Sequence, residues 1–442
     1  MIDPVSALDG EFDVLVRDGD IAAVERAGTR MNSPDTSVVD VSEYWIVPGL
    51  IDPHVHLRDP GFPEKETIQT GLRASAAGGF TTVAAMANTL PVNDSPATTR
   101  YMVERAKEVH SARLVPVSAV TQGLRGSALV DFAAMIEAGA RLFSDDGIPI
   151  DDAMVLSQAL DETKRLGYAV ALHEEDCALS RNGALNAGAV SKQLGVSGYP
   201  DSAESQRVRR DLAIAIGSDA AVHVCHVSAA ESLELIRAAR RHGAQVTCEV
   251  TPHHFTLDES AAMIWGTNAK MNPPLRSHSD VEHLIAAIRD GTIDMIASDH
   301  APHDPDSKRI PQLGAYFGPG HPVAQLDHES AEEFAHAANG VVGLETSLGL
   351  ALQLVHRSII EPTRLIEMMS VNPAALLRME AGTLAVGAIA DITVIDPNLE
   401  WSVAPEKFLS KSRNTPFAGM WLKGKAVLTM VAGEIIYDGR KA

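Results

Sequence analysis

The 442 residues are 45% hydrophobic and 21% charged, with 33 glycines and 24 prolines, an ordinary globular composition. A formal net charge of −21 argues against a nucleic-acid surface or an anionic membrane as partner, and no apolar run is long enough to span a bilayer. The three cysteines, Cys177, Cys225 and Cys248, are too few for a disulfide framework, and with no signal peptide in view they read as reduced thiols of a cytoplasmic protein. The acidic surface also repels anions, so an anionic substrate would need local positive charge where it binds.

In chain order, residues 12–24 predict a hairpin turning at Asp18-Gly19-Asp20. An apolar strand over 44–52 follows and ends in His54-Val55-His56. Beyond it the pattern repeats: an apolar strand, polar residues at its end, then an amphipathic helix. The further strands are Thr81–Ala87, Leu114–Val120, Ala140–Phe143, Ala169–Leu172, Ala221–Cys225, Gln245–Val250 and Ile293–Ala297, which makes eight in all. Helices over Lys65–Ala77, Ala153–Leu166 and Ala230–Arg241 each stop at a glycine, the usual C-cap signal. Near-continuous apolar strands alternating with helices imply a parallel sheet covered by helices, and eight such units imply a (β/α)8 TIM barrel.

After the eighth strand the regularity fails. Residues 304–340 are rich in proline and glycine and predict a long loop at the barrel mouth, a lid or an oligomer contact. Helices resume at 344–357 and 362–378, and strands at 383–396 and 417–438. These last strands are expected to join residues 12–24 in a small β-sandwich-like domain built from both chain ends. The expected division is 1–47 and 381–442 for that domain and 48–380 for the barrel.

The chemistry sits at the strand ends. His54 and His56, two apart on a strand, point to the same side and form half of a divalent metal site. Further on come Arg58, Asn88, Asp145-Asp146-Gly147, His173-Glu174-Glu175-Asp176, His226, His253-His254, Lys270-Met271-Asn272 and Ser298-Asp299-His300-Ala301-Pro302-His303. Each has an ordinary alternative: Asp145-Asp146-Gly147 as a turn, His226 as a core histidine, Asp299 as a cap. Four histidines and two aspartates at strand ends of one barrel are hard to obtain by accident. Imidazole and carboxylate donors suit Zn2+ and related ions, and six are too many for one tetrahedral site with an open position. They suit a pair of ions bridged by a carboxylate and a hydroxide.

The sequence resembles the amidohydrolase superfamily and, within it, the class I dihydroorotases. The matching motifs are Asp52–Gly61 (DPHVHLRDPG), Asn88–Asp94, Phe143–Gly147, His173–Asp176, Cys225–Ser228, Glu249–His254, Lys270–Arg276 (KMNPPLR) and Ser298–His303 (SDHAPH). The first, seventh and last of these are much more specific than the His-x-His pair, which the whole superfamily shares. The resemblance implies that His54, His56 and Asp299 hold one Zn2+, that His173 and His226 hold a second, and that Asp146 and a hydroxide bridge them. Many relatives use a carboxylated lysine at that bridge, and the fourth strand here has none. It implies substrate carboxylate binding by Arg58, Asn88 and His303, a ring contact from Asn272, and Asp299 as general base and then acid. The implied reaction is the reversible cyclisation of N-carbamoyl-L-aspartate to (S)-dihydroorotate in pyrimidine biosynthesis. A homodimer and a complex with aspartate transcarbamoylase are the implied partners.

Three features depart from the family pattern. The chain begins at a point where relatives have an extra strand, so the small domain is expected to lack it. Ala87 stands where a proline usually precedes Asn88. The long 304–340 loop obscures the glycine expected to offer a backbone N–H to the substrate, for which Gly340 is the candidate. Two rival readings are a hydantoinase or allantoinase type of cyclic amidohydrolase and an inactive scaffold for aspartate transcarbamoylase. Arg58, Asn272 and the missing lysine argue against the first, and the full set of ligands argues against the second.

Overall fold

Apolar runs punctuated by glycine and polar strand ends give the architecture. The computed structural model describes residues 1–29, 36–309 and 326–441. Eight strands pair in chain order in one sheet, and every pairing is parallel. They are Leu50–Val55, Phe80–Ala85, Arg113–Ser118, Leu142–Phe143, Val170–Leu172, Val222–Val224, Val246–Val250 and Met295–Ile296. The sheet closes through a parallel bridge between Val55 and His300, where the His56 N–H donates to His300 O at 2.8 Å. Apart from Arg113 and Thr247, every residue of these strands is buried, as expected of a sheet covered on both faces.

The expected helices form where their end signals stand. Ala153–Leu166 starts at Asp152, whose carboxylate accepts from the Met154 and Val155 N–H groups, and stops at Gly167 with φ 77°. Ile68–Gly78 is capped by Thr67 and Thr70 reciprocally and stops at Gly79, φ 92°. A Cβ at Gly79 would lie 2.8 Å from the Ala426 Cβ, so this glycine also lets the helix end press onto the small sheet.

Three expectations need correction. The run 44–52 is not one strand. Gly49 divides it: Trp45–Pro48 pairs antiparallel with Ile392–Ser402, and Leu50–Val55 enters the barrel. A Cβ at Gly49 would stand 2.3 Å from Thr81 Oγ1, so only glycine fits this crossing. The helix expected over 362–378 is interrupted by a π turn, Glu367–Val371, between Pro362–Ile366 and Asn372–Leu376. Pro373 has no N–H to give to the preceding turn, and the backbone widens there. The widened turn sits against the barrel, with Ser370 Oγ donating to Gly49 O at 2.7 Å. Finally, part of the expected 304–340 loop is helical, at Pro305–Lys308 and His328–His336. Asp304 and Asp327 cap these helices through carboxylates that take backbone N–H groups. Residues 310–325 of that loop lie outside the described residues.

The small β domain draws on both ends of the chain. Trp45–Pro48, Ile392–Ser402, Trp421–Val431 and Glu434–Asp438 form a four-stranded antiparallel sheet. The hairpin Phe12–Arg17 and Asp20–Arg26 joins it through the Ile21 N–H to Ala388 O and the Ala390 N–H to Gly19 O, both 2.8 Å. Ile21, Ile392, Val394 and Leu428 make their shared core. Among the described residues, no helix is long and apolar enough to cross a membrane.

Candidate active site

The polar ends of the barrel strands converge at one mouth. His54, His56, Asp146, His173, His226 and Asp299 are all buried there. Asp146 stands at the centre: its Oδ1 lies 3.5 Å from His54 Nε2, 3.5 Å from His173 Nδ1 and 3.4 Å from His226 Nε2, and its Oδ2 lies 3.4 Å from His56 Nε2. Asp299 Oδ1 is 3.1 Å from His56 Nε2 and 3.6 Å from His54 Nε2. His226 and Asp299 have φ of 32° and 46°, and Arg58 nearby has 59°. Such left-handed backbone costs a non-glycine residue about 1–3 kcal/mol, and here it clusters where strand ends turn side chains into the mouth.

The neighbours decide which imidazole nitrogen faces inward. The Glu249 carboxylate can only accept, so His54 Nδ1, 2.7 Å away, carries the proton and Nε2 points into the cluster. Asn88 Oδ1 does the same for His56 Nδ1 at 2.9 Å. For His173 the order reverses: Nε2 donates to Glu175 Oε2 at 3.2 Å, leaving Nδ1 inward. Glu249 also accepts from His223 Nε2 at 3.0 Å, and Glu175 from Asn272 Nδ2 at 2.8 Å.

Electrostatics follow the same plan. Burial works against ionised Asp299, but the His56 hydrogen bond and the imidazoles around it prevail, so its pKa lies well below the carboxylate range. For Glu249, burial is likewise outweighed by His54 and His223, and the pKa settles at about 2. Burial brings the Arg58 guanidinium down to about 10, so it remains a cation.

The donor set fits divalent metal ions. Within it, His54 Nε2 and Asp146 Oδ1 are buried without a hydrogen-bond partner. His54, Asp146 and His226, and likewise His54, His56 and Asp299, place one donor atom each within 4.8 Å of one another. A third close set, His54, Cys225 and Glu249, shares His54. Its glutamate is already engaged by His54 and His223, so it backs the cluster rather than competing with it.

The candidate substrate-binding residues border the same mouth, with one correction. Arg58 Nε donates to Pro302 O at 3.2 Å, and Arg58 Nη2 lies 3.4 Å from His303 Nε2. His303 gives its Nε2–H to Asn339 O at 2.7 Å and leaves Nδ1 without a partner. Burial and the Arg58 charge hold this imidazole neutral, at a pKa of about 2. Asn272 keeps Oδ1 buried and unpartnered. Gly340 is the correction: its N–H is taken by Lys270 O at 2.9 Å and is not free for a substrate. Asp145 turns away, accepting from the Val120 and Thr121 backbone N–H groups at 2.7 and 3.1 Å. Sequence reasoning missed the supporting roles of Glu249 and Glu175, although an acid inside the apolar strand Val246–Val250 is itself a signal.

A closed parallel barrel with such a cluster at its mouth defines a hydrolase of the amidohydrolase superfamily. An L-hydantoinase (dihydropyrimidinase) from Arthrobacter aurescens superposes with a TM-score of 0.84 at 25% identity, over 97% of this chain and 93% of that one. A dihydro-orotase-like family profile matches residues 44–232. A dihydroorotase of Desulforapulum autotrophicum is 46% identical over 438 residues, 99% of this chain and 97% of that protein. A dihydroorotase of Citrifermentans bemidjiense is 44% identical over 439 residues, 99% of this chain and 98% of that protein. The chain belongs to the dihydroorotase family.

Proposed function

We infer that the chain interconverts (S)-dihydroorotate and N-carbamoyl-L-aspartate, a step of pyrimidine biosynthesis. The observation that carries this reading is the 46% identity to a dihydroorotase over 99% of the chain, against 25% for the hydantoinase that shares its fold.

The reading assigns two Zn2+ ions to the six-residue cluster. His54, His56 and Asp299 would hold one, His173 and His226 the other, with Asp146 shared. Ions bound there would polarise the substrate amide carbonyl and make water acidic enough to react near neutral pH. Asp299, ionised and buried, takes a proton from water as the water oxygen bonds to the ring carbonyl carbon. The carbon–nitrogen bond then breaks, and Asp299 delivers that proton to the leaving nitrogen. Ring closure reverses the sequence: the ureido nitrogen loses its proton to Asp299 and attacks the carbon of the protonated carboxyl group, Asp299 returns that proton to the hydroxyl oxygen, and water departs.

Substrate binding uses what the surrounding bonds leave free. With Nε engaged by Pro302 O, Arg58 offers its Nη groups as a forked donor to the substrate carboxylate. Asn88 spends Oδ1 on His56 and keeps Nδ2 for the same carboxylate. That carboxylate competes with Asn339 O for the His303 N–H. Asn272 Oδ1 accepts from a ring N–H. A homodimer, a complex with aspartate transcarbamoylase and a cytoplasmic location complete the proposal, and gel filtration with and without the transcarbamoylase tests the assemblies.

A substrate panel decides the reaction. Turnover of dihydroorotate well above that of hydantoin and dihydrouracil is expected. Preference for hydantoins would move the activity to the type represented by the structural neighbour.

A further inference from the structure

We propose that Asn414, delivered by the stretch that follows the small sheet's Ile392–Ser402 strand, is a positioning residue for the substrate carboxylate grip. The inference rests on the dihydroorotase reading and extends it to a part of the chain outside the barrel strands.

The argument starts from Ala301-Pro302-His303. This tripeptide follows the eighth barrel strand, and Pro302 has no N–H, so no regular ladder can hold it. Its polar groups are spoken for individually. The Ala301 N–H donates to Val341 O at 2.8 Å, and Pro302 O accepts from Arg58 Nε at 3.2 Å. The Ala301 carbonyl and the His303 N–H both go to one buried side chain. Asn414 Oδ1 accepts from the His303 N–H at 3.1 Å, and Asn414 Nδ2 donates to Ala301 O and Gly340 O, both at 3.0 Å. Asn414 O accepts in turn from the Val342 N–H at 2.9 Å. The amide therefore spends both N–H groups and its oxygen on the backbone that frames the grip, and only one orientation of the amide satisfies those partners.

The consequence reaches Arg58. Pro302 O sits between the two groups that Asn414 fixes and is the acceptor that orients the guanidinium. His303, the other group facing the carboxylate, takes its backbone position from the same amide. The strand of chain bearing Asn414 is itself anchored on the Arg58 side. The Lys411 N–H and Ser410 Oγ donate to Glu66, and Ser412 Oγ donates to Lys65 O at 2.6 Å. One strap thus joins the two loops that carry Arg58 and His303. An amide in this place tunes substrate binding through Arg58 without touching the metal cluster.

The test is a double-mutant cycle in the full-length, metal-loaded chain, with dihydroorotate as substrate. Asn414→Ala should raise KM about tenfold, the scale of a loosened charge-assisted fork, with kcat within about threefold and bound metal unchanged. In an Arg58→Met background the same change should add less than about twofold, because the Arg58 fork through which it acts is already gone. An unchanged KM, or an Asn414 effect undiminished by Arg58→Met, overturns the proposal. Asn414→Asp, which keeps the acceptor for the His303 N–H and removes both donors, gives the same reading at nearly unchanged volume if the alanine variant does not fold. A wild-type chain that leaves dihydroorotate untouched would instead defeat the functional reading. Normal wild-type turnover with an indifferent Asn414 defeats only the present inference.

Discussion

The two sides of the mouth are built differently. The metal cluster stands on strand ends, and three of its four imidazoles are backed by a polar side chain: His54 by Glu249, His56 by Asn88, His173 by Glu175. The carboxylate side stands on loops. Arg58 and His303 are oriented by backbone carbonyls of Pro302 and Asn339, and those loops are tied by the strap ending at Asn414. A frame shared at a TM-score of 0.84 with an L-hydantoinase only 25% identical agrees with this division, because the frame can persist while loops change what is bound.

That contrast can be broken from either side. The largest effect is expected at Asp299, to which we assign both a metal-holding and a proton-transfer role: Asp299→Ala should lower kcat by at least about 10³-fold with an unchanged far-UV circular dichroism spectrum. Activity near wild type would remove it from the chemistry. Next comes Glu249→Gln, which leaves His54 and His223 facing a weaker, neutral acceptor. Loss of such a backing carboxylate typically costs about 10–100-fold in metal affinity, read here by chelator competition. Arg58→Met acts on the other side alone: KM for dihydroorotate should rise about 10–100-fold while metal content holds.

The smallest effect concerns the base of the strap. Glu345 accepts from the Leu409 and Ser410 N–H groups, and burial, only partly offset by those bonds, pushes its pKa up to about 7. A carboxyl raised above its unfolded value binds protons more tightly when folded, so its contribution to stability falls as pH rises from about 4.5 to about 7. Urea midpoints of Glu345→Gln should therefore gain on wild type across that window and run parallel above it. A gap that stays constant with pH would show that Glu345 titrates normally.

Much of this was legible in the sequence because barrel strands announce themselves. Most apolar runs ended in polar residues that line the mouth, and seven of the eight strands formed within those runs or one residue from them, the first reaching three residues beyond its run. Which sheet a strand joins is not written in its periodicity. The run 44–52 looked continuous, and only the lack of room at Gly49, where a Cβ would stand 2.3 Å from Thr81 Oγ1, reveals why glycine divides it. The π turn at Glu367–Val371 was hidden for a similar reason, since a proline within a helical pattern signals a break without saying how the backbone absorbs it. In the site, inward-facing residues were readable from strand position, and the residues supporting them were less so. Glu249 could have been suspected as an acid in a buried strand. Asn414 could not, since it lies 111 residues from the His303 N–H that it accepts from, in a stretch with no strand pattern of its own.

The central claim is that the His/Asp cluster is a metal centre dedicated to opening and closing dihydroorotate. It is tested most directly by stripping the purified chain with a chelator, titrating Zn2+ back and following dihydroorotate hydrolysis alongside bound metal. Activity should vanish on stripping and return in step with about two ions per chain, the number proposed above for the six-residue cluster. Hydrolysis that survives metal removal, or a reloaded protein that opens hydantoins and ignores dihydroorotate, would contradict it.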